Sequence, residues 1–372
     1  MGEKKEIVRR YMFQGLLRDK ALEICGLSKN QFYHKPSKKK RGRKPTKETL
    51  RQTESGKESV KNSEVVAEIR AALVNPVTAC GYHRMTGHLQ LAGYYINHKK
   101  VYRLMKSNQL LHRAKEKQSK NYVKYRILAP EGPLRLMEVD IKYVWVEGAR
   151  RNAYVLTIID IFTRRVLYWA VDWQMKQKAV QAGWEHVIEE HLEPARLHGW
   201  KLDIEVRSDN GPQFSAKKLG EFLKENYLIQ TFTHPYTPQE NGHIESFHAI
   251  LGNSLKDKTF ADLVELREDL EIFYDNYNDN RIHGSTLNLP PTVFWQQWNK
   301  GNIERIVLDD KKRKVRFKLL IPRQIIRFAQ DEPVGNRNPE GGLCLDFEGS
   351  MPDKAILNTQ LDGAVPSLQP AV

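Results

Sequence analysis

Apolar residues recur every three or four positions through most of the first third of the chain, and from about Leu134 they recur every second position. The first spacing predicts helices and the second strands, because side chains repeat a face about every 3.6 residues in a helix and every two in a strand. Ala21 to Leu27 reads as a short helix closed by Gly26. Ser28 can then cap a second helix over Lys29 to His34, carrying Phe32 and Tyr33. Residues 1–34 thus have a helix-turn-helix outline, a pattern shared by any short helical hairpin. In a second helical module, residues 61–120, Val65, Val66, Ile69 and Leu73 form one stripe. Gly93 ends one of its helices and Asn97 caps the next, which buries Val101, Leu104 and Met105. That leaves His98, Lys99, Lys100, Arg103 and Lys106 outward with no acid among them. A capped helix with a basic outer face has the form of a recognition helix, so Lys99, Lys100 and Arg103 are candidate DNA contacts.

The middle of the chain reads as alternating strands and helices. Met137, Val139, Ile141, Tyr143 and Trp145 alternate with Glu138, Asp140, Lys142 and Val144, a strand with one apolar face. Ala153 to Phe162 is almost continuously apolar, as expected of a strand covered on both faces. Val166 to Val171 makes a third strand, and Val180, Trp184, Val187 and Ile188 have helical core spacing. A strand at Ile204 to Arg207, a helix from Ser215, a strand near Thr231 and a long helix from about Asn241 follow. Leu263, Leu266, Leu270, Phe273 and Tyr277 stripe one more helix. The predicted class is α/β, in the order β-β-β-α-β-α-β-α, over residues 126–300. Val315, Phe317, Leu319 and Ile321 alternate with basic residues, so residues 301–330 are expected to form a small β-rich appendix. Residues 331–372 are rich in Gly, Pro and Asp without periodicity, and disorder is expected there.

Charge changes this picture. The formal net charge is +15, which points to a polyanionic partner, nucleic acid first. Nine lysines and arginines lie between Lys35 and Arg51 with Glu48 as the only acid, so residues 35–60 are expected to be a basic linker. Within it Lys40-Arg41-Gly42-Arg43-Lys44-Pro45 resembles an AT-hook, whose arginines, here Arg41 and Arg43, would enter a narrow minor groove. The favoured reading of the run is nevertheless a solvated tether making non-specific phosphate contacts. The cysteines Cys25, Cys80 and Cys344 lie far apart, which argues against a disulfide framework and a structural zinc of the usual spacing. No apolar run is long enough to cross a bilayer, and a soluble cytoplasmic protein is expected.

Three acids stand apart from the solvated majority. Asp140 lies mid-strand on the face opposite the apolar one. Asp209 ends a strand and opens the turn Ser208-Asp209-Asn210-Gly211-Pro212-Gln213-Phe214. Glu245 lies on a helix whose apolar stripe is Ile244, Phe247, Leu251 and Leu255, offset from that stripe and on the face of Asn241 and His248. Thirty-five residues separate Asp209 from Glu245. With the Ser208–Phe214 block, the Pro235–Glu245 block and the Leu156–Arg165 strand and turn, this arrangement resembles the D,D(35)E core of retroviral integrases and bacterial insertion-sequence transposases. Gly81-Tyr82-His83-Arg84 and Asn97 to Met105 resemble the helical module of the IS-three type of transposase, and Tyr277 to Pro291 resembles the end of its core. The resemblance runs from about Ala21 to Trp298.

This resemblance implies an RNase H-like catalytic core behind helix-turn-helix modules. It implies a DNA transposase that cuts at insertion-sequence ends, using water, and joins them to target DNA, using a 3′-OH. Two Mg²⁺ ions, replaceable by Mn²⁺, would be held by Asp140, bridging both, with Asp209 and Glu245 each completing one site. Hard oxygen donors suit Mg²⁺, and two such ions can clamp an in-line displacement at phosphorus. The implied partners are the element's terminal inverted repeats, target DNA, further copies of this chain and a separate small helix-turn-helix protein of the same element. The family often places a lysine two turns after the catalytic Glu. Here that position is Gly252, the turn before holds Ala249, and Lys256 is the candidate displaced contact. His234, His243 and His248 flank the third acid and are read as structural or surface residues. Two other functions fit less of the chain: an RNase H-like nuclease that never joins, and a DNA-binding regulator with an inert core.

Overall fold

A computed structural model describes residues 2–34, 45–111, 130–197, 204–233, 241–309 and 314–327. Arg41, Arg43, His234, the block from Pro235 to Glu240 and the tail from residue 331 lie outside the described residues. The chain divides into two compact units, Met1–Lys47 and Glu48–Val372.

The first unit holds three helices: α1 (Gly2–Phe13), α2 (Arg18–Ile24) and α3 (Lys29–Tyr33). Ser28 caps α3 as its position suggested: its Oγ accepts the Gln31 N–H, and the Gln31 side chain accepts the Ser28 N–H. Val8, Ala21, Leu22 and Leu27 form the small core. The pattern did not announce α1, because only Val8 of its twelve residues is buried.

The second unit opens with a hairpin, β1 (Glu48–Thr53) and β2 (Gly56–Lys61), paired from Glu48↔Lys61 to Thr53↔Gly56. Residues 48–60, read above as the end of a linker, are therefore ordered strand. Long charged side chains hid the alternation that buries Thr49 and Val60. The hairpin docks on the helical module through backbone bonds Gln52 N–H to Gly93 O (2.9 Å) and Tyr95 N–H to Leu50 O (2.8 Å). Arg51 also lies over the Tyr94 ring, 4.9 Å from its centroid. The module itself is α4 (Asn62–Val74), α5 (Tyr82–Leu91) and α6 (His98–Ser107) around Val65, Ile69, Met85, Leu89, Val101 and Met105. Asn97 Oδ1 accepts the Lys100 N–H at 2.9 Å, so α6 begins where the cap predicted.

The α/β region follows the expected order: β3 (Leu136–Val146), β4 (Arg151–Asp160), β5 (Val166–Asp172), α7 (Gln177–Val187), β6 (Ile204–Ser208), α8 (Lys217–Glu225), β7 (Leu228–Phe232) and α9 (Gly242–Leu255). The five strands lie in the order β5-β4-β3-β6-β7. β4 runs antiparallel to both β3 and β5, whereas β6 and β7 run parallel to β3. One face packs Met137, Val139, Leu156 and Ile158 against Val180, Trp184, Leu219 and Leu223 of α7 and α8. The other packs Val144, Val146, Val155 and Val171 against α9 and α10 (Leu263–Asp275), using Ile244, Phe247, Leu251, Leu266, Leu270 and Phe273. The face of β3 bearing Glu138, Asp140 and Lys142 is thus covered by a helix rather than by water alone. Both the order and the layering are those of an RNase H-like α/β core.

After α10 and a π-helical turn over Asn276–Asn280 come α11 (Pro291–Asn299), the hairpin β8 (Ile303–Asp309) and β9 (Lys314–Leu319), and the short α12 (Arg323–Ile326). Phe317 packs edge-on against Phe162, Phe294 and Trp298. Arg323 donates to Leu287 O (2.7 Å), and Gln324 to Tyr94 O (3.3 Å). The sequence of the appendix suggested only a small β-rich piece. The structure makes it a clasp between the helical module and the core.

Candidate functional site: three acids at the open end of the sheet

β3 pairs with β6 only from Leu136 to Glu138, opposite Glu205 to Arg207. Beyond Glu138 the two strands part, and Asp140 stands at the opening on the side of β3 that faces α9. β6 ends at Ser208, so Asp209 leaves the sheet at the carboxyl ends of parallel strands, where open α/β sheets place their ligands. The turn is set locally: Asp209 Oδ1 accepts the Gly211 N–H (2.9 Å), and the Asn210 side chain donates to Thr233 O (3.0 Å). Glu245 comes from the first turn of α9, where a carboxylate is favoured by the helix dipole. Ile244, Phe247, Leu251 and Leu255 bury the other side of that helix, which leaves Glu245 open to solvent.

The three carboxylates feel one another. Partial burial pushes the Asp209 carboxyl above the ordinary range, the Gly211 N–H opposes this, and the charge of Asp140 adds to the rise. Glu245 is raised by burial and by Asp140, and is drawn down by His248. Asp140 is thus the acid common to both couplings. Its Oδ2 lies 3.3 Å from His248 Nδ1, and its Oδ1 accepts the Ile141 N–H (2.7 Å). His248, read above as structural or surface, faces the acids instead. The signal was its spacing of three from Glu245, which puts both on one helix face. His243 is different: burial, then Arg164 and Arg207, lower its pKa to about 3, so it is neutral and structural.

Glu138 shares its strand face with Asp140, and nothing in its spacing distinguishes it. It is fully buried, and its Oε2 accepts the Ile244 N–H at 2.8 Å, tying β3 to the start of α9 one residue before Glu245. Burial raises its pKa to about 7 against the pull of that N–H, Arg164 and Arg207. Asp160, also buried, is structural. It accepts from the Thr163 N–H (2.9 Å), from Leu134 N–H (3.1 Å) and from the Thr163 hydroxyl, closing the turn after β4.

Among the described residues no group of three or more His, Cys, Asp or Glu is drawn close enough to hold a metal ion as a finished cage. The donors nonetheless fit a hard divalent ion. Mg²⁺ keeps several waters and needs only one or two protein carboxylates beside substrate phosphates. Mutually repelling carboxylates are what such a cation relieves.

Of the candidate DNA contacts, Lys99, Arg103 and Lys256 are exposed. Lys100 is not free on that surface: it is half-buried, and its Nζ donates to Glu48 O at 2.6 Å, a partner that exists only because residues 48–53 are a strand. Burial, with Arg103 adding to it, lowers its pKa. No helix among the described residues is long and apolar enough to cross a membrane.

The integrase core domain matches residues 130–238 and again, as a second form of that domain, residues 228–291. An HTH-like domain matches residues 62–118. A 39.2 kDa protein of insertion element IS476 from Xanthomonas euvesicatoria is 26% identical over 295 residues, covering 78% of this chain and 76% of its own. The putative transposase InsK of insertion element IS150 from Escherichia coli is 24% identical over 228 residues, 58% of this chain and 77% of its own. The transposase of insertion element IS904 from Lactococcus lactis is 22% identical over 252 residues, 64% of this chain and 96% of its own. The solved catalytic core of BIV integrase is 17% identical over 45% of this chain and 98% of its own, with a TM-score of 0.32, so the fold rests on the sheet order above. With an HTH-like domain ahead of an integrase core, and insertion-element transposases among its relatives, the chain is similar to IS-three-like transposases, and DNA transposition by a DDE-type core is the function these likenesses support.

Proposed function

We propose that Asp140, Asp209 and Glu245 are the catalytic carboxylates of this transposase and hold two Mg²⁺ ions, with Asp140 shared between them. The observation that carries this reading is the convergence of three elements: the middle of β3, the end of β6 and the first turn of α9 bring acids close enough for Asp140 to perturb both others. Bound Mg²⁺ would lower the pKa of a water or 3′-OH nucleophile and offset charge on the leaving oxygen. The chain's own part is placement. β3 is clamped between β4 and β6, the Gly211 N–H orients Asp209, and Glu138 anchors the α9 turn that presents Glu245. His248 adds a further contact, its Nδ1 lying 3.3 Å from Asp140 Oδ2.

The substrates in this reading are the element's terminal inverted repeats and target DNA. The region over residues 61–120 reads the ends through α6, residues 1–34 add a second helix-turn-helix contact, and the basic stretch from residue 35 with Arg41 and Arg43 tethers the two. Further copies of the chain assemble on the paired ends, with a small helix-turn-helix protein of the same element as a second partner. The protein works in the bacterial cytoplasm on nucleoid DNA. The test uses duplexes carrying the ends of the element and Mg²⁺, scoring nicked and joined product separately. Wild-type protein should give both. Asp140→Asn, Asp209→Asn and Glu245→Gln should each give neither, while still binding DNA in Ca²⁺. Near-wild-type joining by any one of them would remove that residue from the set, and nicking without joining would mark a nuclease.

A further inference from the structure

A groove of about 250 Å³ runs between the open edge of β3 and the second half of α9, with Lys142, Val144, Gly252, Leu255, Lys256 and Lys258 in its lining. Lys142 follows Asp140 by two residues and shares its strand face, about 6.6 Å farther along at the usual strand rise. Its ammonium rests against Gly252: a Cβ built on that glycine would lie 3.5 Å from Lys142 Nζ. The lysine from the sheet thus reaches across the groove to the backbone of α9 at Gly252.

The charges in this groove are unbalanced. Lys258 is paired with Asp269, and the carboxylate of Glu147 accepts the Trp145 indole N–H at 2.8 Å. Lys142 and Lys256 have no acceptor among the described residues. The position of Lys256 at the end of α9 is accounted for by the helix dipole. That of Lys142 is not, since it belongs to a strand. A half-buried ammonium loses part of its hydration and much of its rotamer freedom, and an anion in the groove restores what is lost.

We propose that Lys142, assisted by Lys256, binds a phosphate of the transposon-end strand next to the phosphate held at the acids. This rests on the assignment of Asp140, Asp209 and Glu245 to the reacting centre. One lysine on the strand of Asp140 then sets the register of the DNA backbone against the acids, so that the bond to be cut is the one that reaches Asp140.

The experiment measures binding of a pre-nicked element-end duplex in Ca²⁺ by fluorescence anisotropy across a salt series, and joining of the same duplex in Mg²⁺. It compares wild type, Lys142→Ala, Lys142→Arg and a control, Lys217→Ala, whose lysine is exposed on α8 beside Glu221. Lys142→Ala should bind about tenfold more weakly, the scale of one charge-assisted contact. Its slope of log K against log salt should fall by roughly 0.7–0.9, one phosphate's share. Lys142→Arg should restore both, and Lys217→Ala should change neither. Thermal melting should be the same for all four. If wild type joins ends and Lys142→Ala binds with unchanged affinity and slope, the groove is not a phosphate site and the reading of the acids stands. If wild type neither nicks nor joins while Lys142→Ala still loses one contact, the groove stands and the reading of the acids fails.

Discussion

Replacing Glu138 by glutamine keeps an oxygen that can accept the Ile244 N–H and removes a charge buried beneath α9. The carboxyl is raised from 4.5 to about 7, chiefly by burial, and this net rise already contains the pull of Arg164 and Arg207. At about 1.4 kcal/mol per unit, the folded state favours the protonated form by about 3 kcal/mol. The sign follows from the direction of the shift. A carboxyl raised on folding binds its proton more tightly in the native state, so its stabilising contribution is full below pH 4.5 and is lost as pH rises through 7. Urea unfolding in EDTA at several pH values should therefore show wild type weakening relative to Glu138→Gln between pH 4.5 and 7, by a total of about 3 kcal/mol. The gap should stay constant at higher pH. Joining by Glu138→Gln should remain close to wild type, because the helix start is still tied to β3. Glu138→Ala should lose joining well beyond its loss of folded protein, since nothing then fixes the turn that presents Glu245. A stability gap independent of pH would refute the buried-charge reasoning. Normal joining by Glu138→Ala would refute the anchoring role.

Three further outcomes are expected. Gly87→Ala would set a Cβ 2.7 Å from Asn288 Cβ and 2.8 Å from its carbonyl oxygen, so calorimetry should show a loss of about 1–3 kcal/mol from overpacking where α5 meets the loop before α11; an unchanged melting temperature would mean that the two segments separate freely. Lys99→Ala with Arg103→Ala should weaken binding to element ends more than to random duplex in a gel-shift comparison, whereas Lys100→Ala, which frees the Glu48 carbonyl, should lower stability more than affinity; equal losses on both duplexes would make α6 a mere phosphate contact. The carboxyls of Asp209 and Glu245 are raised and must be ionised to take a cation, so direct Mn²⁺ binding followed by spectroscopy should weaken as pH falls toward the carboxylate range, and affinity flat with pH would disconnect them from the metal.

The element order of the core was legible because its strands and helices carry their burial in their own spacing. Val180, Trp184 and Val187, or Ile244, Phe247 and Leu251, are core stripes whatever they pack against. The caps at Ser28 and Asn97 were legible for the same reason, since a cap satisfies backbone donors three residues away. Asp140, Asp209 and Glu245 could be singled out only because the residues around them match a known arrangement; spacing alone does not tell a ligand from a solvated acid. What the chain could not show locally depended on residues far apart in sequence. The hairpin at 48–61 is held by Gly93, Tyr94 and Tyr95, more than thirty positions on, and its charged side chains disguise it. The role of Glu138 is set by Ile244, 106 residues away, and Lys142 meets Gly252 only because α9 packs on β3. Local spacing determines which face of an element is apolar. Which polar group on that face becomes an anchor, a ligand or an unpaired cation is decided when the sheet and α9 close over it, because only there does desolvation make each buried charge find a partner.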